Sequence, residues 1–180
     1  MRVIAGSAKG RKLKIIQGSS TRPTTDRVKE SIFNIIQFDI EGRTVLDLFA
    51  GTGQMGIEAL SRGALSAVFV DQKKESVRIV MDNIALTGFE DKADVFQQDA
   101  LIYLSRCEEK FDIIFLDPPY NSGLMKKTLK AIAGFDILSI SGIIICETSV
   151  ESDLPEIEEP LVHLRDYVYG KTRISLLSRN

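Results

Sequence analysis

The chain has 180 residues, 44% of them hydrophobic and 27% charged, with a net charge of −2 at neutral pH, which suits one well-buried α/β domain with a modest appendage. No apolar run approaches the roughly 18–20 residues of a membrane helix, and Met1-Arg2-Val3-Ile4-Ala5-Gly6 lacks a signal-peptide core, so a cytoplasmic protein is expected. Cys107 and Cys146 lie far apart and His163 is the sole histidine, which excludes a conventional zinc site and a histidine-based triad and leaves carboxylates, backbone groups and a bound cofactor.

Alternating apolar residues in Arg2–Ala5 and Leu13–Ile16 flank Gly6-Ser7-Ala8-Lys9-Gly10 and predict a β-hairpin with a basic loop. Residues 1–22 hold Arg2, Lys9, Arg11, Lys12, Lys14 and Arg22 and no acid; on a chain of net charge −2, the remaining 158 residues carry −8. A basic lobe on an acidic body points to a polyanion contact confined to one end. Gln17-Gly18-Ser19-Ser20 reads as a turn or linker. The next segment predicts a helix capped by Thr24 or Thr25, with Asp26 and Glu30 near its positive end and Val28, Ile32, Ile35 and Ile36 on one face.

From Arg43 onward, strand and helix patterns alternate. Strands are predicted at Thr44–Phe49, Ala67–Val70, Ala93–Gln97, Phe111–Leu116 and Ile143–Cys146. Helices are predicted at Gly53–Ser61, at Lys73–Leu86, and around Met125, Leu129 and Ile132. This alternation demands a doubly wound, largely parallel sheet. Leu161–Tyr169 and Thr172–Leu177, separated by Gly170-Lys171, must instead pair antiparallel. Ser149–Pro160, acidic and holding two prolines, reads as a loop.

Asp47-Leu48-Phe49-Ala50-Gly51-Thr52-Gly53 closes the first strand and opens a helix, where glycines let the backbone approach a ligand. With Gly56 it matches G-x-G-x-x-G, and Asp71 ends the second strand, a pattern shared with NAD sites where the acid holds ribose hydroxyls. Asp47 argues against NAD, because it would face a pyrophosphate. An ammonium such as that of S-adenosylmethionine (SAM) would welcome it, directly or through water. Asp99, after the third strand, can accept from an adenine amine.

The fourth strand ends in Asp117-Pro118-Pro119-Tyr120. The two prolines donate no N–H and stiffen the loop, leaving carbonyl acceptors beside the Asp117 carboxylate. Such a cluster suits a planar amino group, and Tyr120 offers a face for a base to stack on.

A glycine loop followed by Asp-Pro-Pro-Tyr resembles the SAM-dependent amino-methyltransferases acting on bases. Three segments, Arg2–Leu13 (RVIAGSAKGRKL), Arg22–Asn34 (RPTTDRVKESIFN) and Leu46–Gly63 (LDLFAGTGQMGIEALSRG), resemble more specifically the bacterial 16S ribosomal RNA guanine amino-methyltransferase family called RsmD. The similarity runs from Arg2 to about Ser178. It implies a Rossmann-like seven-stranded sheet with an antiparallel last strand, and methyl transfer from SAM to the exocyclic amine of a guanine in 16S rRNA. It implies cofactor positions at Asp47, Phe49, Gly51, Gly53, Asp71 and Asp99, with Thr25 and Asp26 at the methionine end, and a catalytic set of Asp117, Pro118, Pro119 and Tyr120. Gln54 replaces the small residue expected after the second loop glycine, with its side chain expected to point off the helix start.

The expected division is residues 1–22 as basic hairpin and linker and 23–180 as methyltransferase domain. The substrate would be the small ribosomal subunit or its RNA, bound through Arg2, Lys9, Arg11, Lys12, Lys14 and Arg22, by a monomer without metal. Removing residues 1–16 is then expected to spare SAM binding. Rival readings are the same chemistry on adenine or cytosine in DNA or RNA, an NAD-dependent oxidoreductase, and a non-catalytic RNA-binding assembly factor with a SAM-like pocket.

Overall fold

The computed structural model describes residues 1–16, 26–119, 123–152 and 154–180. The expected turn at Gln17–Ser20, together with Arg22, Thr24, Thr25 and Tyr120, lies outside the described residues. The elements run α1 (Asp26–Ile35), β1 (Thr44–Leu48), α2 (Gln54–Ser61), β2 (Ser66–Asp71), α3 (Lys74–Thr87), β3 (Ala93–Gln97), α4 (Ala100–Arg106), β4 (Phe111–Leu116), α5 (Leu124–Gly134), β5 (Leu138–Ser149), β6 (Leu161–Tyr169) and β7 (Thr172–Arg179). They build a seven-stranded sheet in the order β3-β2-β1-β4-β5-β7-β6. The first five strands in that order are parallel, and β7 runs antiparallel to both of its neighbours. Strand order reverses between β1 and β4, and open α/β sheets bind ligands at the carboxyl ends of strands beside such a reversal.

Three elements differ from expectation, the first being the N-terminal hairpin, which closes through a single Arg2–Lys12 bridge with no strand at Leu13–Ile16. Helix α4 spans only seven residues, too few turns for an apolar period to stand out in sequence. Strand β5 runs well beyond Ile143–Cys146, because β7 pairs with it out to Ser149.

Both sheet faces are covered, so the strands read as continuous apolar runs. Val45, Phe69, Ile113 and Phe115 pack under α1, α2 and α3, while Leu46, Leu48, Ile114 and Leu116 pack under α4 and α5. Gly56 lets α2 lie close on β2: a Cβ there would stand 2.3 Å from the Phe69 ring. Asp47, 4% exposed, fastens the same helix, accepting from the Gly56 N–H at 2.9 Å.

Residues 1–13 form an antiparallel turn, with an Arg2–Lys12 bridge and Val3 N donating to Arg11 O at 3.0 Å. Val3, Ala8 and Leu13 belong to the same core as α1 and α2, so cutting this segment away would open that core. At Gly6 a Cβ would fall 1.7 Å from Ser61 O, and the Ser7 N–H donates to that carbonyl at 2.8 Å. The centre of the junction is Glu58, which is fully buried. Its carboxylate accepts from Ile4 N at 2.8 Å, Ala5 N at 3.0 Å and Arg62 Nε at 2.9 Å, and lies 3.5 Å from Lys29 Nζ. Lys29, equally buried, donates to Arg2 O at 2.6 Å. Burial lowers its pKa and the Glu58 charge opposes that shift.

Stripping one partner from a buried ion pair typically destabilises by about 3–5 kcal/mol. Glu58→Ala is therefore expected to lose that much stability in denaturant titration. Asp47 gives a second expectation. Burial raises its pKa from 3.8 to about 7, against the lowering effect of the Gly56 N–H and with a smaller push from Asp71. Between those two values the folded chain keeps a proton that the unfolded chain has released, so stability falls as pH rises through that window. Asp47→Asn should flatten the slope there, read as the difference between wild-type and variant unfolding midpoints across pH.

Candidate active site

At the carboxyl ends of the strands lies a cleft of about 1410 Å³. That exceeds the ~300–1,000 Å³ of a usual small-molecule pocket and leaves room for a cofactor and part of a second ligand. The loop after β1 forms one wall through Phe49 and Gly51. Phe49 has φ 76°, a left-handed conformation that costs a non-glycine residue about 1–3 kcal/mol. The turn is held by the Phe49 and Ala50 N–H groups, which both donate to Val70 O at 3.0 Å. Gly51 (φ 57°) and Gly53 (φ 75°) continue it. A Cβ on Gly51 would meet nothing nearer than Phe49 O at 3.9 Å, so the space beside it is open cleft of a kind a ligand fills.

Asp71, at the end of β2, also lines the cleft. One oxygen accepts from Gly51 N at 2.9 Å and the other from Lys73 N at 2.8 Å, so this carboxylate ties the glycine loop to the start of α3. Asp99 lines the cleft too and caps α4, accepting from Leu101 N at 2.9 Å and Ile102 N at 3.2 Å. Each carboxylate keeps lone pairs beyond those bonds. Carboxylates and open backbone suit the hydroxyls and amines of a nucleoside with an ammonium group, as SAM has, and repel a pyrophosphate. Asp47 and Gly53 stand behind the loop, and Asp26, exposed on α1, is likewise off the cleft wall.

Asp117, Pro118 and Pro119 line the same cleft just past the end of β4, the strand next to β1. The Asp117 side chain opens to the cleft. Loss of hydration against the protein around it, then the Glu147 and Asp47 charges, hold its pKa well above the usual carboxylate range.

Several participants were not foreseen from the sequence. Asn83 of α3 donates to Thr52 O at 2.9 Å and accepts from Lys14 N at 2.7 Å, bracing the glycine loop against the N-terminal segment. Glu147 of β5 lines the cleft beside Asp117; its signal was an acid closing an apolar strand, as Asp117 closes β4. Among the described residues, the cations on the cleft wall are Arg27, Lys73 and Lys171. Arg2, Lys9, Arg11, Lys12 and Lys14 are all exposed but off that wall. Arg11 bonds Leu86 O at 2.9 Å and Lys14 pairs with Asp82 at 2.8 Å, which runs the segment along α3. The turn carrying Lys9 sits by Ser61, at the far end of α2 and so about 12 Å from the loop. Gln54 does not point off the helix start: it is 8% exposed, and among the described residues its Oε1 has no hydrogen-bond partner.

The family described as "Conserved hypothetical protein 95" matches residues 1–178. The chain is 43% identical to YlbH of Bacillus subtilis (strain 168) over 182 residues, 99% of each chain. It is 33% identical to "Ribosomal RNA small subunit methyltransferase D" of Escherichia coli (strain K12), over 99% of this chain and 90% of that one. The solved structure of yhhF from Escherichia coli superposes with a TM-score of 0.90 at 34% identity, covering 99% of this chain and 97% of the other. With its glycine loop, strand-end carboxylates and Asp-Pro-Pro wall around one cleft, the chain belongs to this RsmD-type family of SAM-dependent methyltransferases.

Proposed function

We propose that the chain transfers a methyl group from SAM to the exocyclic amine of a guanine in 16S rRNA, on the small ribosomal subunit or an assembly intermediate of it. The observation that carries this reading is the single cleft joining the Asp71-braced glycine loop to Asp117-Pro118-Pro119. The name of the Escherichia coli relative supports small-subunit rRNA as the substrate, and the segments shared with the RsmD family support guanine. In this reading Phe49, Gly51, Asp71 and Asp99 hold the nucleoside part of SAM, with Asp47 and Gly53 shaping the loop behind them. Thr25 is assigned to its methionine end and Tyr120 to stacking on the base, while Asp26, off the cleft wall, serves at most the start of α1 beside that end.

SAM supplies a methyl group already activated on a sulfonium. The remaining task is to present a poor nucleophile, since the amine lone pair is delocalised into the base. Asp117 accepts one amine N–H and turns the lone pair toward the methyl carbon, with the Pro118 carbonyl as second acceptor. Such alignment is worth up to roughly 7–11 kcal/mol of barrier. As the nitrogen–carbon bond forms and the bond to sulfur breaks, positive charge grows on the nitrogen beside Asp117. A pre-placed group facing that charge is worth about 3–4 kcal/mol. The amine then sheds a proton to Asp117, whose raised pKa fits it to take one.

Asp117→Ala is accordingly expected to lower kcat at least about a hundredfold with SAM affinity nearly unchanged, measured by single-turnover methylation and calorimetry. Because only ionised Asp117 can offset the growing positive charge and take the proton, wild-type kcat/KM should rise with pH on a limb above the usual aspartate value of about 4. A limb at that ordinary value would overturn the raised proton affinity of Asp117, while an unaffected kcat in Asp117→Ala would remove it from the role. Nucleoside analysis of the labelled product, on naked 16S rRNA and on 30S particles, tests the base and the substrate together.

The N-terminal cations give a separate expectation. Neutralising a lysine that meets one phosphate reduces the salt slope of RNA binding by about 0.7–0.9, because one fewer set of counterions is released. Lys9→Gln and Lys12→Gln should each lower it by that amount and leave unfolding midpoints unchanged, since both side chains are exposed. An unchanged slope would confine the RNA to the cleft rim.

A further inference from the structure

Glu147 has no part in the chemistry above, yet it occupies the same wall. In the parallel β4–β5 pair, Leu116 is in register with Cys146. The next residue in each case is an acid: Asp117, where the chain leaves the end of β4, and Glu147, still within β5. Register neighbours in a parallel pair project to the same face across about 4.8 Å. Both residues line the cleft. Glu147 is half-buried and fixed from its other side by β7, where it pairs with Ile174, so it sits on a sheet rather than on a loop. Its charge is the strongest charge acting on Asp117. Two carboxylates set side by side repel each other, and that repulsion is relieved when each receives an N–H.

The edges of the bases differ at this point. Guanine alone sets a ring N–H, at N1, next to its exocyclic amine. Adenine and cytosine set a ring lone pair there, at N1 and N3. A pair of adjacent acceptors therefore matches guanine and turns a carboxylate against a lone pair in the other two. We infer that Glu147 is the specificity-determining residue of this cleft, accepting the N1–H of the target guanine while Asp117 accepts its 2-amino group. A carboxylate offers about four lone-pair positions, so a contact within the protein leaves room for the base. This inference rests on the guanine reading proposed above.

The test uses full-length wild-type protein, Glu147→Ala and Glu147→Gln. The substrates are small subunits carrying either guanine or one 2-aminopurine at the mapped target. 2-Aminopurine keeps the 2-amino group but has a lone pair on N1. Wild-type kcat/KM should fall about 10- to 100-fold on 2-aminopurine, the range for losing a hydrogen bond to a charged group. Glu147→Ala should methylate guanine at least tenfold more slowly and treat the two bases within about threefold of each other. Glu147→Gln, whose amide oxygen still accepts an N–H, should recover most of the rate on guanine. SAM affinity by calorimetry should be unchanged in both variants. Unaltered discrimination by Glu147→Ala, or loss of SAM binding in it, would overturn the inference and leave the guanine reading standing. A wild-type product methylated on adenine or cytosine would overturn both.

Discussion

A single buried carboxylate, Glu58, decides how the N-terminal segment and the helices beside the glycine loop meet. It gathers donors from three directions: two backbone N–H groups of the N-terminal segment, Lys29 of α1, and Arg62 just beyond its own helix. A charge placed there without partners would be costly, and with all of them present the junction has one geometry. Because α2 begins at the glycine loop and ends at Ser61, which bonds the N-terminal turn, the same helix carries the cofactor site at one end and a basic surface at the other. Asn83 closes the arrangement by holding Thr52 and Lys14 together. The basic N-terminal segment and the glycine loop are thus held in one continuous packing.

Carboxylates perform a second task at the sheet edge. Asp47, Asp71 and Asp99 each spend hydrogen bonds on backbone N–H groups, of Gly56, of Gly51 and Lys73, and of Leu101 and Ile102. The loops around the cleft are shaped before any ligand arrives, which lowers the ordering that binding must otherwise impose. The left-handed Phe49 fits this picture: its strain persists because Val70 O and the Asp71 carboxylate hold the loop on both sides. Asp117 differs from the other three. It faces the cleft, and loss of hydration first, then the charge of Glu147, raises its proton affinity.

Much of this was legible in the residues. Runs such as Thr44–Leu48 and Phe111–Leu116 announce doubly covered strands, and the acids that close them announce the ligand edge. The glycines at 51 and 53 carry their own reason, since each adopts a positive φ that other residues avoid. The Asp-Pro-Pro wall and the antiparallel β6–β7 pair follow from local chemistry and a two-residue gap. These features depend on neighbours in the chain, and a sequence displays its neighbours directly.

What remained hidden depends on residues far apart in the chain. Lys29 and Glu58 look like ordinary helix-surface charges, yet both are fully buried, because α1 and the N-terminal segment close over α2. Gln54, on the same helix, is buried too. The basic residues of the N-terminus form an obvious cluster, but only the packing of that segment along α3 sets them away from the cleft wall and leaves Arg27, Lys73 and Lys171 on it. By itself, then, the sequence determined the strands, the glycine loop, the strand-end acids and the chemistry they suit. Tertiary structure alone decided which charges meet, which are buried and which face the ligand, because those outcomes come from contacts between segments whose separation along the chain carries no record of their distance in space.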